Sequence, residues 1–179
     1  MIAAVTAGGT LPDAVTAMYD RQLTLLETDV MSLARAVRPD QFDFVPPGDG
    51  FTGVRSFGEQ IRHLATTLTI AAARILEAEP PQQPGRHNNG PAGLHSRDDI
   101  LAYLEASFAY ARKAVTALNA GNHLETVGSV FGPSSRGSIA IGMTCHGYNH
   151  YGQMVVYARM NGIVPPGSVP TGDEHQVSG

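Results

Sequence analysis

Between residues 56 and 79 the chain places Phe57, Ile61, Leu64, Leu68, Ala71 and Ile75 at steps of four, three, four, three and four. That rhythm holds every apolar side chain on one side of an α-helix, and one helix cannot bury such a seam alone. It needs neighbours built the same way, and three further segments qualify. Residues 11–38 carry Met18, Leu25, Leu26, Val30, Leu33 and Val37, and residues 96–119 carry Ile100, Leu101, Leu104, Phe108, Ala111, Val115 and Leu118. Residues 138–161 carry Ile139, Met143, His146, His150, Gln153 or Met154, and Tyr157. Local signals close each segment. Pro12 suits a first helical turn, and Pro39 follows the first segment. Ser56 with Glu59, and Ser96 with Asp99, have capping-box spacing, while Pro80, Gly121 and Gly162 mark ends. Nothing reads as a strand. The pattern predicts an all-α fold, a four-helix bundle around one core.

Three long connections join these segments, at about 39–55, 80–95 and 121–137. Connections beyond about 12–15 residues are uncommon in compact domains and are often functional or mobile. The run QQPGRHNNGPAG in the second is expected to be loose. Phe42, Phe44, Phe51, Pro46 and Pro47 in the first, and Val127, Val130 and Phe131 in the third, are candidates for a pocket mouth or for caps on the bundle end. The expected organisation is a lead over 1–11, a single bundle over 12–166 and a flexible tail over 167–179.

Composition bounds the function. A chain of 179 residues suits about one domain. Its 12 basic and 16 acidic residues give a net charge of -4, against recognition of nucleic acid by a basic surface. No apolar run approaches the roughly 18 residues of a membrane span. Residues 1–12 lack a basic and then apolar leader pattern, so the expected location is cytoplasmic. The single cysteine, Cys145, excludes an intrachain disulfide and any zinc site with two thiolates. It is expected to be a small buried hydrophobe.

Two histidines occupy core positions of the fourth segment. His146 and His150 are spaced i, i+4, one turn apart on one helix face, where both rings can reach one ion. His63, beside Leu64 on the flank of the second seam, is a candidate third ligand from a packed neighbour. Spacing alone leaves the alternative of hydrogen-bonded core histidines open. His87, His95, His123 and His175 fall in loops or the tail and are expected to be solvated. Position 147 is Gly, so the Glu of an HExxH protease is missing; Glu59 and His63 are four apart and no second repeat exists, so the two E-x-x-H repeats of a di-iron site are absent.

The run HGYNHYGQMVVYARMNGIVPP, residues 146–166, resembles the last-helix signature of the DinB/YfiT-like superfamily. That signature is H-x-x-x-H-x-G-Q, an aliphatic residue, then Arg, Gly and Pro-Pro. It falls here on His146, His150, Gly152, Gln153, Met154, Arg159, Gly162, Pro165 and Pro166. SFGEQIRHLA resembles the family's other landmark and supplies His63. The resemblance spans about residues 12–166. It implies up-down-down-up connectivity, often a homodimer, and a zinc or nickel ion held by His63, His146 and His150. Some members of the family are S-transferases or isomerases using low-molecular-weight thiols, and some resemble amide hydrolases. By that analogy the expected function is metal-dependent thiol S-transfer or hydrolysis of a small molecule, with a low-molecular-weight thiol as possible co-substrate. Glu59, one turn before His63, is a candidate for orienting a ligand or for acid–base work, or else simply the cap partner of Ser56. The alternative is a non-catalytic metal- or ligand-binding bundle. Neither DNA nor a membrane is an expected partner.

Overall fold

The seams predict four helices, and a computed structural model, which describes residues 13–128 and 132–168, contains them. They are α1 (Ala14–Ala36), α2 (Phe57–Leu76), α3 (Arg97–Thr116) and α4 (Arg136–Met160). Two two-residue strands, β1 (Thr126–Val127) and β2 (Ser134–Ser135), pair antiparallel just ahead of α4. The expected start of the first helix at Leu11 and Pro12, the 1–11 lead, Val130, Phe131, His175 and the tail beyond Ser168 lie outside the described residues. No helix among the described residues is long and apolar enough to cross a membrane.

The caps form as the sequence dictates. Asp13 Oδ1 accepts from the Val15 amide at the head of α1. Ser56 and Glu59, and Ser96 and Asp99, close reciprocal capping boxes on α2 and α3. Each such cap contributes about 1 kcal/mol by satisfying amides that have no helical partner.

Helix α2 packs on α3 and α4, and α1 packs on the same two, so α1 faces α2 and α3 faces α4 across the diagonals. Pairings give the directions. Thr66 meets Tyr103 and Thr69 meets Ser107, so α2 and α3 run parallel. Arg35 meets Glu105 while Arg112 meets Asp20, so α1 and α3 are antiparallel. Gln60 meets Gln153 and Arg136 bonds the Ile75 carbonyl, so α2 and α4 are antiparallel. The result is up-down-down-up. This order explains the long connections: two cross a diagonal, and the third returns the whole bundle length between parallel neighbours.

The core follows the seams with local corrections. In α1 the buried line is Tyr19, Leu23, Leu26, Val30, Leu33 and Val37. Met18 and Leu25 are exposed, because the packed face lies one position over. In α2 Ala72 is fully buried, whereas Ala71 of the expected seam is only partly buried at its flank. In α4 Ala140, Met143, Gly147, His150, Met154 and Tyr157 face inward. Cys145 is exposed, contrary to expectation, because the buried face of α4 passes through Met143 and Gly147 and leaves position 145 outside. Gly147 is needed: a Cβ there would lie 2.3 Å from Leu26 Cδ2.

The connections are tied down. Phe42 packs edge-on to Phe57 at 5.5 Å and Phe44 to Tyr157 at 5.8 Å, capping the end of the bundle. The 80–95 segment, expected to be loose, is strapped to α2 and its approach by Arg55 and Arg62. Arg55 donates to Asn89 Oδ1 at 3.0 Å and to the His87 carbonyl at 3.2 Å. Arg62 donates to the Asn89 carbonyl at 2.8 Å.

Candidate metal centre

Antiparallel packing of α2 on α4 brings three imidazoles to one place. His63 reaches from α2, and His146 and His150 from successive turns of α4. Their ring centroids are 5.4, 4.9 and 4.5 Å apart for the pairs 63–146, 63–150 and 146–150. One nitrogen from each ring lies within 4.8 Å of the others. His63 and His150 are buried and His146 is half-buried.

Two of the rings are oriented by hydrogen bonds on their outer nitrogens. His63 Nδ1 contacts the Asn88 carbonyl at 3.1 Å, so Nδ1–H donates and Nε2 keeps its lone pair. His150 Nδ1 donates to Gln60 Oε1. The Gln60 amide is fixed in turn, because its Nε2 donates to Gln153 Oε1 at 3.0 Å. Asn88 reaches His63 through an unusual turn: His87 and Asn88 both have φ of 56°, between Gly85 and Gly90 at 65° and 77°. A Cβ on Gly85 would fall 1.9 Å from the Gly90 carbonyl oxygen, so only glycine fits there.

His146 Nε2 is buried and has no hydrogen-bond partner among the described residues. A stranded nitrogen of this kind costs about 1–3 kcal/mol unless something outside the chain meets it. Its neighbours cannot donate to it, since their own nitrogens on this side carry lone pairs. All three rings are held neutral. Burial pushes His63 and His146 below the ordinary imidazole value, and the Arg55 charge adds to this. Burial first, then His146, His63 and Arg55, pushes His150 down to about 3.

Neutral imidazoles with convergent lone pairs are a donor set for a divalent ion. At Zn–N distances of about 2.0–2.1 Å, ligand nitrogens stand about 3.3 Å apart, so small ring rotations close the present spacing. The three histidines can therefore hold a metal ion.

Glu59 stands elsewhere. Its carboxylate accepts from the Ser56 amide at 3.0 Å in the cap of α2. The contacts that orient the rings come instead from Gln60 and the Asn88 carbonyl. A bare sequence gives neither residue a signal, since glutamines are common on helices and every residue has a carbonyl. Gln153, by contrast, belongs to the H-x-x-x-H-x-G-Q run.

A cleft of about 500 Å³ opens beside His63 and His146, between α2 and α4. Ile70, Ala71, Ile139 and Met143 form apolar walls, and Gly142 lies between them with open space where a Cβ would be. Of the connections, the second lends Asn88 and the third lends Ser134. Phe42, Phe44 and Phe51 do not line it.

The sequence profile of the DinB superfamily matches residues 22–154. No curated protein matches the chain. Three solved structures share its fold. A DinB-like protein from Bacillus cereus is 14% identical, covering 84% of this chain and 95% of its own, with a TM-score of 0.66. A conserved protein from Enterococcus faecalis is 14% identical, covering 82% and 96%, with a TM-score of 0.61. A protein proposed to belong to the DinB family, from Exiguobacterium sibiricum, is 20% identical, covering 86% and 95%, with a TM-score of 0.60. Likeness at these identities establishes the fold alone.

Proposed function

The chain belongs to the DinB superfamily, and from that premise we propose that it is a metal-dependent enzyme acting on a small molecule by thiol S-transfer or hydrolysis. In this reading His63, His146 and His150 hold zinc or nickel. The observation that carries it is the stranded His146 Nε2 facing two imidazoles already pinned as lone-pair donors. An ion held by three histidines keeps an open position, where it supplies Lewis acidity toward a carbonyl or stabilises a thiolate.

The chain's own residues do the rest. Gln60 and the Asn88 carbonyl fix two tautomers and ring planes before any ion arrives, which raises ligand basicity. Arg55 opposes protonation of the rings. The apolar walls of the cleft bring a small molecule to the His63–His146 side while displacing water from it. The cap bond of Glu59 supports a structural role for that residue rather than an acid–base one. A homodimer and a low-molecular-weight thiol co-substrate belong to the proposal as extensions of the family resemblance.

The test is turnover by chelator-stripped protein reloaded with zinc or nickel, using a low-molecular-weight thiol with an aryl halide, and separately an aryl amide. Metal-dependent turnover that disappears in His146→Ala supports the reading. Stoichiometric metal uptake without turnover in either assay favours a non-catalytic bundle.

A further inference from the structure

The cleft beside the histidines is polarised along its length. At one end stand His63 and His146. Its middle is walled by Ile70, Ala71, Ile139 and Met143. At the other end lie Arg74, Ser134 and Ser138. Among the described residues of the lining, Arg74 is the one formally charged side chain, and none is Asp or Glu. Its side chain is exposed and also borders a second hollow with Glu77 and Glu79, and its guanidinium has no hydrogen-bond or ion-pair partner among the described residues. Glu77, the nearest carboxylate in sequence, is engaged by Arg136. Ser138 Oγ accepts a hydrogen from Ser135 Oγ at 2.8 Å, which leaves the Ser138 hydroxyl proton free to donate.

An unpaired guanidinium and a free hydroxyl donor at the end of an apolar trough call for an anion with an apolar body. Geometry sets its length. Arg74 follows His63 by eleven residues on α2, about 16 Å of helix axis, and helical side chains lean toward the helix N-terminus, which shortens that span. On α4, Ser138 precedes His146 by eight residues, about 12 Å. The two ends of the trough are therefore separated by about 12 Å of axis on α4, a span for a medium-length alkyl chain.

We propose that the cleft binds a linear carboxylate with a medium-length apolar chain, its carboxylate on Arg74 and Ser138 and its far end at His63 and His146. The assignment of the histidine end as the reacting end rests on the function proposed above, whereas the carboxylate end rests on Arg74 and Ser138 alone. A substrate of this class presents its carbonyl or thiol at the carbon remote from the carboxylate.

The test is calorimetric titration with octanoate and with octanamide, its uncharged counterpart, into chelator-treated and zinc-loaded protein. Zinc uptake is measured separately in every variant. Octanoate is expected to bind about tenfold more tightly than octanamide in both forms, the size of one partly exposed charge-assisted contact. Arg74→Gln is expected to bring octanoate down to the octanamide level without changing zinc uptake. Ser138→Ala is expected to lose less, about twofold to fivefold. Gly142→Leu, which places a side chain in the open floor, is expected to abolish binding of both. Equal affinities, an unchanged Arg74→Gln, binding that survives Gly142→Leu, or no binding at all overturns the proposal. A preference that requires zinc and survives Arg74→Gln also overturns it, since the carboxylate then sits at the histidines. If octanoate behaves as expected but no zinc is taken up, the carboxylate cleft stands and the metal reading fails.

Discussion

Helix α2 buries polar side chains on two faces, and the two are finished differently. Toward α3, Thr66 Oγ1 lies 3.0 Å from Tyr103 Oη, and Thr69 Oγ1 lies 3.1 Å from Ser107 Oγ. The hydroxyls also bond within their own helices, Thr66 to the Arg62 carbonyl, Thr69 to Ala65 and Ser107 to Tyr103. Every group there is satisfied by the protein. Toward α4, Gln60, Gln153 and the Asn88 carbonyl complete only the outer side of the histidine cluster, and His146 Nε2 has no hydrogen-bond partner among the described residues. A closed polar network fixes how two helices pack, and one left open on a single side is built for something the chain does not supply.

The largest expected difference between the faces comes from removing a ligand. His146→Ala should lower zinc affinity by more than the roughly 10–100-fold that loss of an outer partner costs, and should leave the helical circular dichroism of metal-free protein unchanged. Equal zinc affinity in wild type and variant would erase the distinction drawn here.

Gln60→Leu removes the acceptor for His150 Nδ1 while keeping the side-chain volume. Zinc affinity should fall by about 10–100-fold, with one equivalent still bound at saturation, as read by competition against a chromophoric chelator. An unchanged affinity would mean that packing alone orients the His150 ring.

Acid should act on the open face. Unfolded imidazoles titrate near 6.5, and all three rings titrate lower in the folded chain. Between the two values the unfolded chain binds more protons, so stability rises with pH. Metal-free protein should therefore lose stability as the pH falls below about 6.5, continuing toward the His150 value of about 3. Urea midpoints across that window check this, and His150→Ala should flatten the slope. A slope of opposite sign would mean the rings gain protons on folding.

Glycines in α4 sharpen the comparison at lower energy. Gly147→Ala drives a methyl into the fully buried Leu26 and should cost about 1–3 kcal/mol in urea unfolding. Gly142→Ala meets open space and should stabilise α4 by up to about 1 kcal/mol. On the closed face, Thr69→Val should cost about 1 kcal/mol for its lost hydrogen bond and leave zinc affinity unchanged.

Much of this was legible in the sequence, for reasons that differ by element. The α2 seam and the Ser56 and Ser96 caps are local patterns, readable because helix periodicity and cap chemistry need no distant partner. In the first helix Leu26, Val30, Leu33 and Val37 lie on the packed face as their spacing predicts, and only Met18 and Leu25 fall outside it. Apolar residues stand side by side at Leu25 and Leu26, so the phase is ambiguous until α3 and α4 choose Tyr19 and Leu23. The histidine pair on α4 was visible from spacing, and the resemblance supplied His63. The Asn88 carbonyl was invisible, since it becomes a partner only through the left-handed turn between Gly85 and Gly90. The loose reading of that segment failed for the same reason: Arg55 and Arg62 anchor it through tertiary contacts. Cys145 was misplaced because small hydrophobes are usually buried, whereas its exposure follows from the helical phase set by Gly147.

Metal stoichiometry reads whether the open face between α2 and α4 takes an ion. Protein prepared without a nickel resin, stripped with chelator and dialysed against zinc at about pH 7.5, where the imidazoles are neutral, is measured by elemental analysis beside His146→Ala. About one zinc per chain is expected in the wild type and essentially none in the variant. Equal zinc contents in the two proteins, or no zinc in either, would contradict a metal site there.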